Sequence, residues 1–418
     1  MEKTDKLLLE ALRSFLREEK VEWTQTISEE EWETLFQKAI KHQILPMIFD
    51  TVYTCDAFHS LSPQKAEYYR QLVFRTVMVQ TRNTGEFVRL LKYLLNHQLH
   101  PLVVKGIVCR SLYPQPDYRP SGDEDVFIFQ NEFPKCDQLL REYGMQYADP
   151  SKNPEEEHEV PYGKPRSGLC IELHKQLFPP ESPVYGEWNR FFEGAHERAV
   201  FVSIDGAEVP TMAPTDHFFY LICHALKHFL HSGFGIRQIC DITLFANAYG
   251  KNIDWDQVHR NCRKIHAELF LAALLKIGQK YLTFDPVQSR CPKDLMAMAV
   301  DENDMLEDIL GSGVFGDSTM SRKHSSTITL NAAASGKEGK AARSRVWKSV
   351  FPDASSLTSR YPYLRKKPYL LPIAWIDRLV KYQKERRSRK QDDFQDDFIE
   401  SLRIGKERVR LLHEYKIL

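Results

Sequence analysis

Over the first hundred residues the apolar positions recur at intervals of three or four. Trp32, Leu35, Phe36 and Ile40 follow Ser28, and Glu31 stands three residues after that serine, an arrangement that predicts a capped helix start. A long helix is predicted over 63–96, with Leu72, Val73, Val77, Phe87, Leu90, Leu91 and Leu94 on its buried side. From about residue 101 the texture changes. Short β-rich runs at 101–104, 126–129, 169–173 and 199–204 are separated by turn residues, with one short helix predicted over 107–113. The helical period returns at Pro214. One helix runs to about His231, Gly233 and Gly235 break it, another covers 236–248, and more follow to about Tyr281. Residues 311–345 are rich in Gly, Ser, Ala and Lys and read as a flexible loop. The pattern divides the chain into an N-terminal helical region (1–100), a core with a small mixed sheet (101–210), a helical domain (211–310), the loop (311–345) and a C-terminal helical tail (346–418). The fold class expected is α/β in the α+β sense.

Composition narrows the partners. The 418 residues carry 57 basic and 57 acidic side chains, so no global field draws the chain to nucleic acid. The one basic stretch, 381–390, is followed by Asp392, Asp393, Asp396 and Asp397 and reads as a solvated helix. No apolar run is long enough to span a bilayer, and the first residues lack an apolar signal core. The eight cysteines are scattered and none forms Cys-x-x-Cys, which points to buried, reduced thiols and a cytoplasmic location.

The chemistry concentrates in the mixed core. The run Val103-Val104 ends in Lys105-Gly106, and Asp123 and Asp125 open the next apolar run. Side chains alternate along a strand, so these two aspartates share a face and Glu124 points away. Paired carboxylates repel each other, and a divalent cation relieves that repulsion. A solvated acidic loop is the plain alternative. Glu172 and His174 alternate with Ile171 and Leu173 and share the other face of their own strand. Lys105-Gly106 sets a cation at a predicted helix start, where anions are favoured, although a surface lysine and a turn glycine would look the same. Arg119 and Ser121 precede the acid pair as candidate phosphate contacts. His224 and His228 lie four apart on one helix face, without the glutamate of a His-Glu-x-x-His zinc signature. Arg237 and Asp241, also four apart, fit either a substrate contact or an ion pair.

The combination Lys105-Gly106, Tyr113-Pro114, Arg119, Asp123-Glu124-Asp125 and Glu172-Leu173-His174 resembles the nucleotidyltransferase superfamily typified by DNA polymerase beta. More narrowly, it resembles the bacterial group of uncharacterised nucleotidyltransferases. The histidine-bearing helix, the glycine turn at Gly233, Arg237 and Asp241 are similar to that group's helical domain. The chain departs from the superfamily at Ile107, where serine commonly follows the glycine. The resemblance implies metal-dependent transfer of a nucleoside monophosphate, AMP from ATP by default or another NTP, to an acceptor hydroxyl of unknown identity. It implies Mg2+ or Mn2+ on Asp123, Asp125 and Glu172, with Glu172 as ligand or general base. It also implies nucleotide contacts from Lys105, Gly106, Arg119 and Ser121 and acceptor contacts from His174, His228, Arg237 and Asp241. Two alternatives stand beside it: an inactive nucleotide sensor or scaffold, and a toxin-like enzyme that modifies a protein or tRNA.

Overall fold

The computed structural model describes residues 1–165, 167–231, 233–313, 329–330, 332–333, 361–365, 367–377 and 392–417. It divides into two compact units. The first comprises Met1–Lys227 and Phe234–Val314, the second His228–Gly233 and Phe315–Leu418.

The first unit opens with helices α1 (Lys3–Leu16), α2 (Glu29–Lys41) and α3 (Leu45–Val52). The capping box is formed as expected: Ser28 Oγ accepts from the Glu31 amide at 3.2 Å, and Glu31 Oε2 accepts from the Ser28 amide at 2.9 Å. Trp32, Leu35, Phe36 and Ala39 are fully buried. Helix α4 (Pro63–Asn96) buries Phe87, Leu90, Leu91 and Leu94. The expected buried face does not extend along its first half, where Leu72, Val73 and Val77 are only half-buried and Phe74 is 67% exposed. At 1.5 Å per residue a helix of 34 residues is roughly 50 Å long, and its apolar positions are covered at Tyr69, which packs on Phe36, and again from Phe87 to Leu94, but not at Leu72, Val73 and Val77 between them.

The core of the first unit is a five-stranded mixed sheet of order β1-β2-β5-β4-β3, with β1 Leu102–Val104, β2 Glu124–Phe127, β3 Gln146–Tyr147, β4 Glu159–Gly163 and β5 Cys170–His174. Strands β2 and β5 are parallel and the other pairings antiparallel. Helix α5 (Gly106–Arg110) links β1 towards β2, and α6 (Phe133–Glu142) follows β2. Strand β2 starts two residues before the predicted run, because Glu124 and Asp125 pair with Ile171 and Glu172 despite their charge. Glu159, the last residue of an acidic run over 155–159, opens β4 and pairs with His174. Strands β6 (Val200–Ile204) and β7 (Ala207–Thr211) form a hairpin whose Asp205-Gly206 turn has both φ positive, a conformation the glycine admits freely. Thr211 Oγ1 donates to the Val103 carbonyl at 2.6 Å and fixes the hairpin to β1.

Helices α7 (Pro214–His231), α8 (Ile236–Tyr249), α9 (Trp255–Lys264), α10 (Glu268–Tyr281), α11 (Lys293–Met296) and α12 (Asn303–Ser312) follow. In the second unit, Tyr361, Leu364 and Ala374 form a small apolar cluster with Leu370, Leu371 and Trp375. Helix α13 (Asp392–Glu414) brings Arg408, which donates to the carbonyls of Phe229 and His231. Most of the predicted loop over 311–345 and the charged stretch 381–390 lie outside the described residues. All eight cysteines are unpaired; seven are buried and Cys170 is exposed. No helix among the described residues is long and apolar enough to cross a membrane.

Candidate active site

The site begins where β1 ends. Lys105 adopts φ 56° and ψ −120°, a conformation that a side chain disfavours, and Gly106 follows at φ 33°. The glycine is required there, since a Cβ would collide with Glu124 Oε2. The Lys105 amide donates to His217 Nε2 at 2.9 Å, and His217 Nδ1 lies 3.1 Å from Thr211 Oγ1. Burial pushes His217 down to about 3 and keeps it neutral, which suits an acceptor nitrogen.

Glu124 points away from Asp125, as alternation requires. Its carboxylate accepts from the Ile107 amide at 2.7 Å and pairs with the buried Arg110. The anion cradle expected at Gly106 is therefore already filled by a carboxylate of the chain itself, at the start of a helix of only five residues.

On the opposite face of β2, Asp125 is buried. One of its oxygens takes Lys105 Nζ at 2.9 Å and the other His174 Nε2 at 3.0 Å. Burial would raise its pKa, but the Lys105 ammonium and His174 outweigh burial and hold the carboxyl well below the usual range. Glu172 is opposite Asp125 across the parallel pairing, and its Oε2 lies 3.9 Å from His174 Nε2. Burial, then Asp125, Glu159 and Asp123, push Glu172 up to about 8, against the opposing pull of His174. Asp125, Glu172 and His174 each offer a ligand atom, all within 4.8 Å of one another. Two carboxylates and an imidazole form a donor set that fits a divalent cation.

Asp123 stands outside that cluster of ligand atoms, where the sequence had counted it and left His174 out. It precedes β2 and is half-buried. Burial and then Asp125 raise its pKa, with Lys105 opposing, so it shares the same field. Lys105 itself is caught between opposing effects: burial lowers its pKa, and Asp125, Asp123 and Glu172 together hold it above the ordinary lysine value.

The remaining sequence candidates form a second group. Arg119, expected on a phosphate, forks onto Asp241 through bonds of 2.8 and 2.6 Å, with 4% of its side chain exposed. Tyr113 OH donates to the same Asp241 at 2.7 Å. Asp241 is thus committed to Arg119 and Tyr113, whereas the sequence offered either an ion pair with Arg237 or a substrate contact from both. Arg237 donates instead to the Pro120 carbonyl, and burial, then Arg119, lowers its pKa to about 10. Ser121 donates its hydroxyl to the Asp123 carbonyl at 2.7 Å, and its amide binds Gln80 Oε1 at 2.7 Å. These contacts fasten the 119–123 loop to α8 and α4 just ahead of the acids. His228 belongs to the second unit, half-buried near the end of α7.

Sequence reasoning missed Glu159, His158 and Lys227, and read His224 only beside His228. Glu159 Oε2 lies 3.5 Å from His174 Nδ1, and His158 Nε2 is 3.9 Å from Glu159. Burial acts to raise Glu159, yet His174, Lys227 and His158 draw it below the ordinary range. His224 Nε2, on α7, lies 2.8 Å from Lys105 Nζ. The alternation Glu159-Val160-Pro161-Tyr162 is a strand signal that Pro161 masks, because proline is rare inside a sheet.

A family model described as "Uncharacterised nucleotidyltransferase" matches residues 28–283, more than half of the chain. A search of curated proteins gave no match. Among solved structures, an antigenic nucleotidyltransferase-like protein from Paracoccidioides brasiliensis is similar at 14% identity, covering 50% of this chain and 96% of its own, with a TM-score of 0.31.

Proposed function

Because the chain belongs to the uncharacterised nucleotidyltransferase family, we propose that it moves a nucleoside monophosphate, AMP from ATP by default, onto the hydroxyl of an acceptor. One observation carries this reading: Asp125 and Glu172 sit opposite each other on adjacent parallel strands, with His174 completing a ligand set within 4.8 Å. Asp125 and Glu172 would hold Mg2+ or Mn2+ with His174, and Asp123, outside that cluster, would join them only by turning in. The ion would supply positive charge to offset the negative charge developing on the attacking and leaving oxygens. His174 orients Asp125 by its hydrogen bond. Glu172 serves as ligand or as acceptor of the hydroxyl proton. The acceptor oxygen bonds the α-phosphorus, the bond to the β-phosphate bridging oxygen breaks, and pyrophosphate leaves. Arg119, Asp241, Tyr113 and Arg237 act by fixing the loop that carries Asp123.

The rival reading is a nucleotide-binding scaffold without turnover. It draws on the engagement of both Asp125 oxygens by Lys105 and His174, and on Ile107 in the place of the usual serine. Incubation with α-labelled ATP, Mg2+ and a cell extract separates the two. Labelled acceptor with released pyrophosphate is the expected result, lost in Asp125→Asn. Nucleotide binding without label for any NTP would establish the scaffold.

A further inference from the structure

We infer that Lys105 is a resident counter-ion of the acid site, which releases Asp125 only when a metal-bound nucleotide arrives, so that the nucleotide must be present for the cation to bind tightly. This rests on the cation site proposed at Asp125 and Glu172.

The geometry is specific. The Lys105 side chain is 16% exposed, and its Nζ lies 2.9 Å from Asp125 Oδ2 and 2.8 Å from His224 Nε2. The ammonium therefore sits against a carboxylate whose partners define the candidate ligand cluster. Like charges exclude one another at this range in a buried site, so a divalent cation on Asp125 and an ammonium on the same carboxylate compete. The backbone of Lys105 has no freedom to give way. Its amide is bound to His217, and the next residue is pinned by the close approach of Glu124. The flexible four-carbon stem is the part that can move. A triphosphate supplies the anion to which the released ammonium can turn. Without it, displacing Lys105 leaves a buried cation short of its carboxylate, which is costly. A purely structural lysine–aspartate pair predicts no such link between metal and nucleotide.

The test titrates Mn2+ by electron paramagnetic resonance, with and without α,β-methylene-ATP, on the full chain and on its Lys105→Met variant. The native protein is expected to bind Mn2+ at least tenfold more tightly with the analogue than without it. Lys105→Met is expected to bind Mn2+ without the analogue at least tenfold more tightly than the native protein does, and to gain less from the analogue. Native binding of Mn2+ that is equally tight with and without the analogue overturns the inference, whatever the variant does. Native coupling that survives unchanged in Lys105→Met overturns it too, while leaving the cation site standing. Absence of Mn2+ binding in every mixture overturns the cation site and this inference together.

Discussion

Asp123 and Asp125 are two residues apart, yet the structure gives them opposite energetic roles. Asp125 is the buried partner of Lys105 and His174. Removing its charge leaves an ammonium without its counter-ion, a loss of about 3 kcal/mol for a buried pair. Asp123 is held above its ordinary pKa by burial and by repulsion from Asp125. Neutralising it relieves that repulsion. Both Asp125→Asn and Asp123→Asn are therefore expected to lose nucleotidyl transfer, but only the first should lower the thermal midpoint. Paired activity and differential scanning fluorimetry measurements check this, and a large drop in midpoint for Asp123→Asn would contradict the assignment. At this scale much of the site was readable in sequence. Alternation put Glu172 and His174 on one face and sent Glu124 away from Asp125. Which neighbours share the cluster was not readable: His174 enters it and Asp123 falls outside, because pairing register and loop path decide where a carboxylate ends.

The turn from β1 into α5 shows how one element sets the site. Glu124 reaches under the turn to bind the Ile107 amide and Arg110, and the glycine at 106 leaves room for it. Gly106→Ala adds a side chain at positive φ and drives it into Glu124, so the cost is expected at about 2–4 kcal/mol. Urea unfolding measures it, and a cost below about 0.5 kcal/mol would show that Glu124 can move aside. Because the same turn aims Lys105, the variant should also lose nucleotide affinity. The sequence marked Gly106 as a turn glycine at a helix start. It did not reveal that the helix would be five residues long, with its free amide claimed by a carboxylate 17 positions later. Helix α4 failed in the other direction: a periodic apolar stripe over 63–96 was visible, but periodicity does not say how far along a helix a partner surface extends.

Across the first unit, long-range ties lock distant elements together. His42 follows α2 and is fully buried. Its Nε2 lies 3.1 Å from the Leu310 carbonyl in α12, and its Nδ1 accepts from the Ile236 amide at the start of α8 at 3.3 Å. Burial lowers its pKa from 6.5 to about 4. A base depressed on folding contributes stability that is complete above pH 6.5 and is lost as pH falls through 6.5 towards 4, because the unfolded chain takes up the proton first. At pH 5 the loss is roughly 2 kcal/mol. Unfolding free energies at pH 7.5 and 5 should show this slope, and His42→Gln should flatten it; an unchanged slope would mean that other groups carry the acid sensitivity.

The sequence by itself determined the helical start, the strand-rich middle, the return to helix and the order of the acids, because propensity, turn chemistry and side-chain alternation act over a few neighbouring residues. Tertiary structure alone decided that Asp241 clasps Arg119 from 122 positions away, that Glu159 meets His174 across β4 and β5, and that Lys105 comes to rest between Asp125 and His224. Such contacts depend on strand order and register, and on helices returning to the sheet. They are fixed by the packing of the whole unit, which no local pattern in the chain encodes.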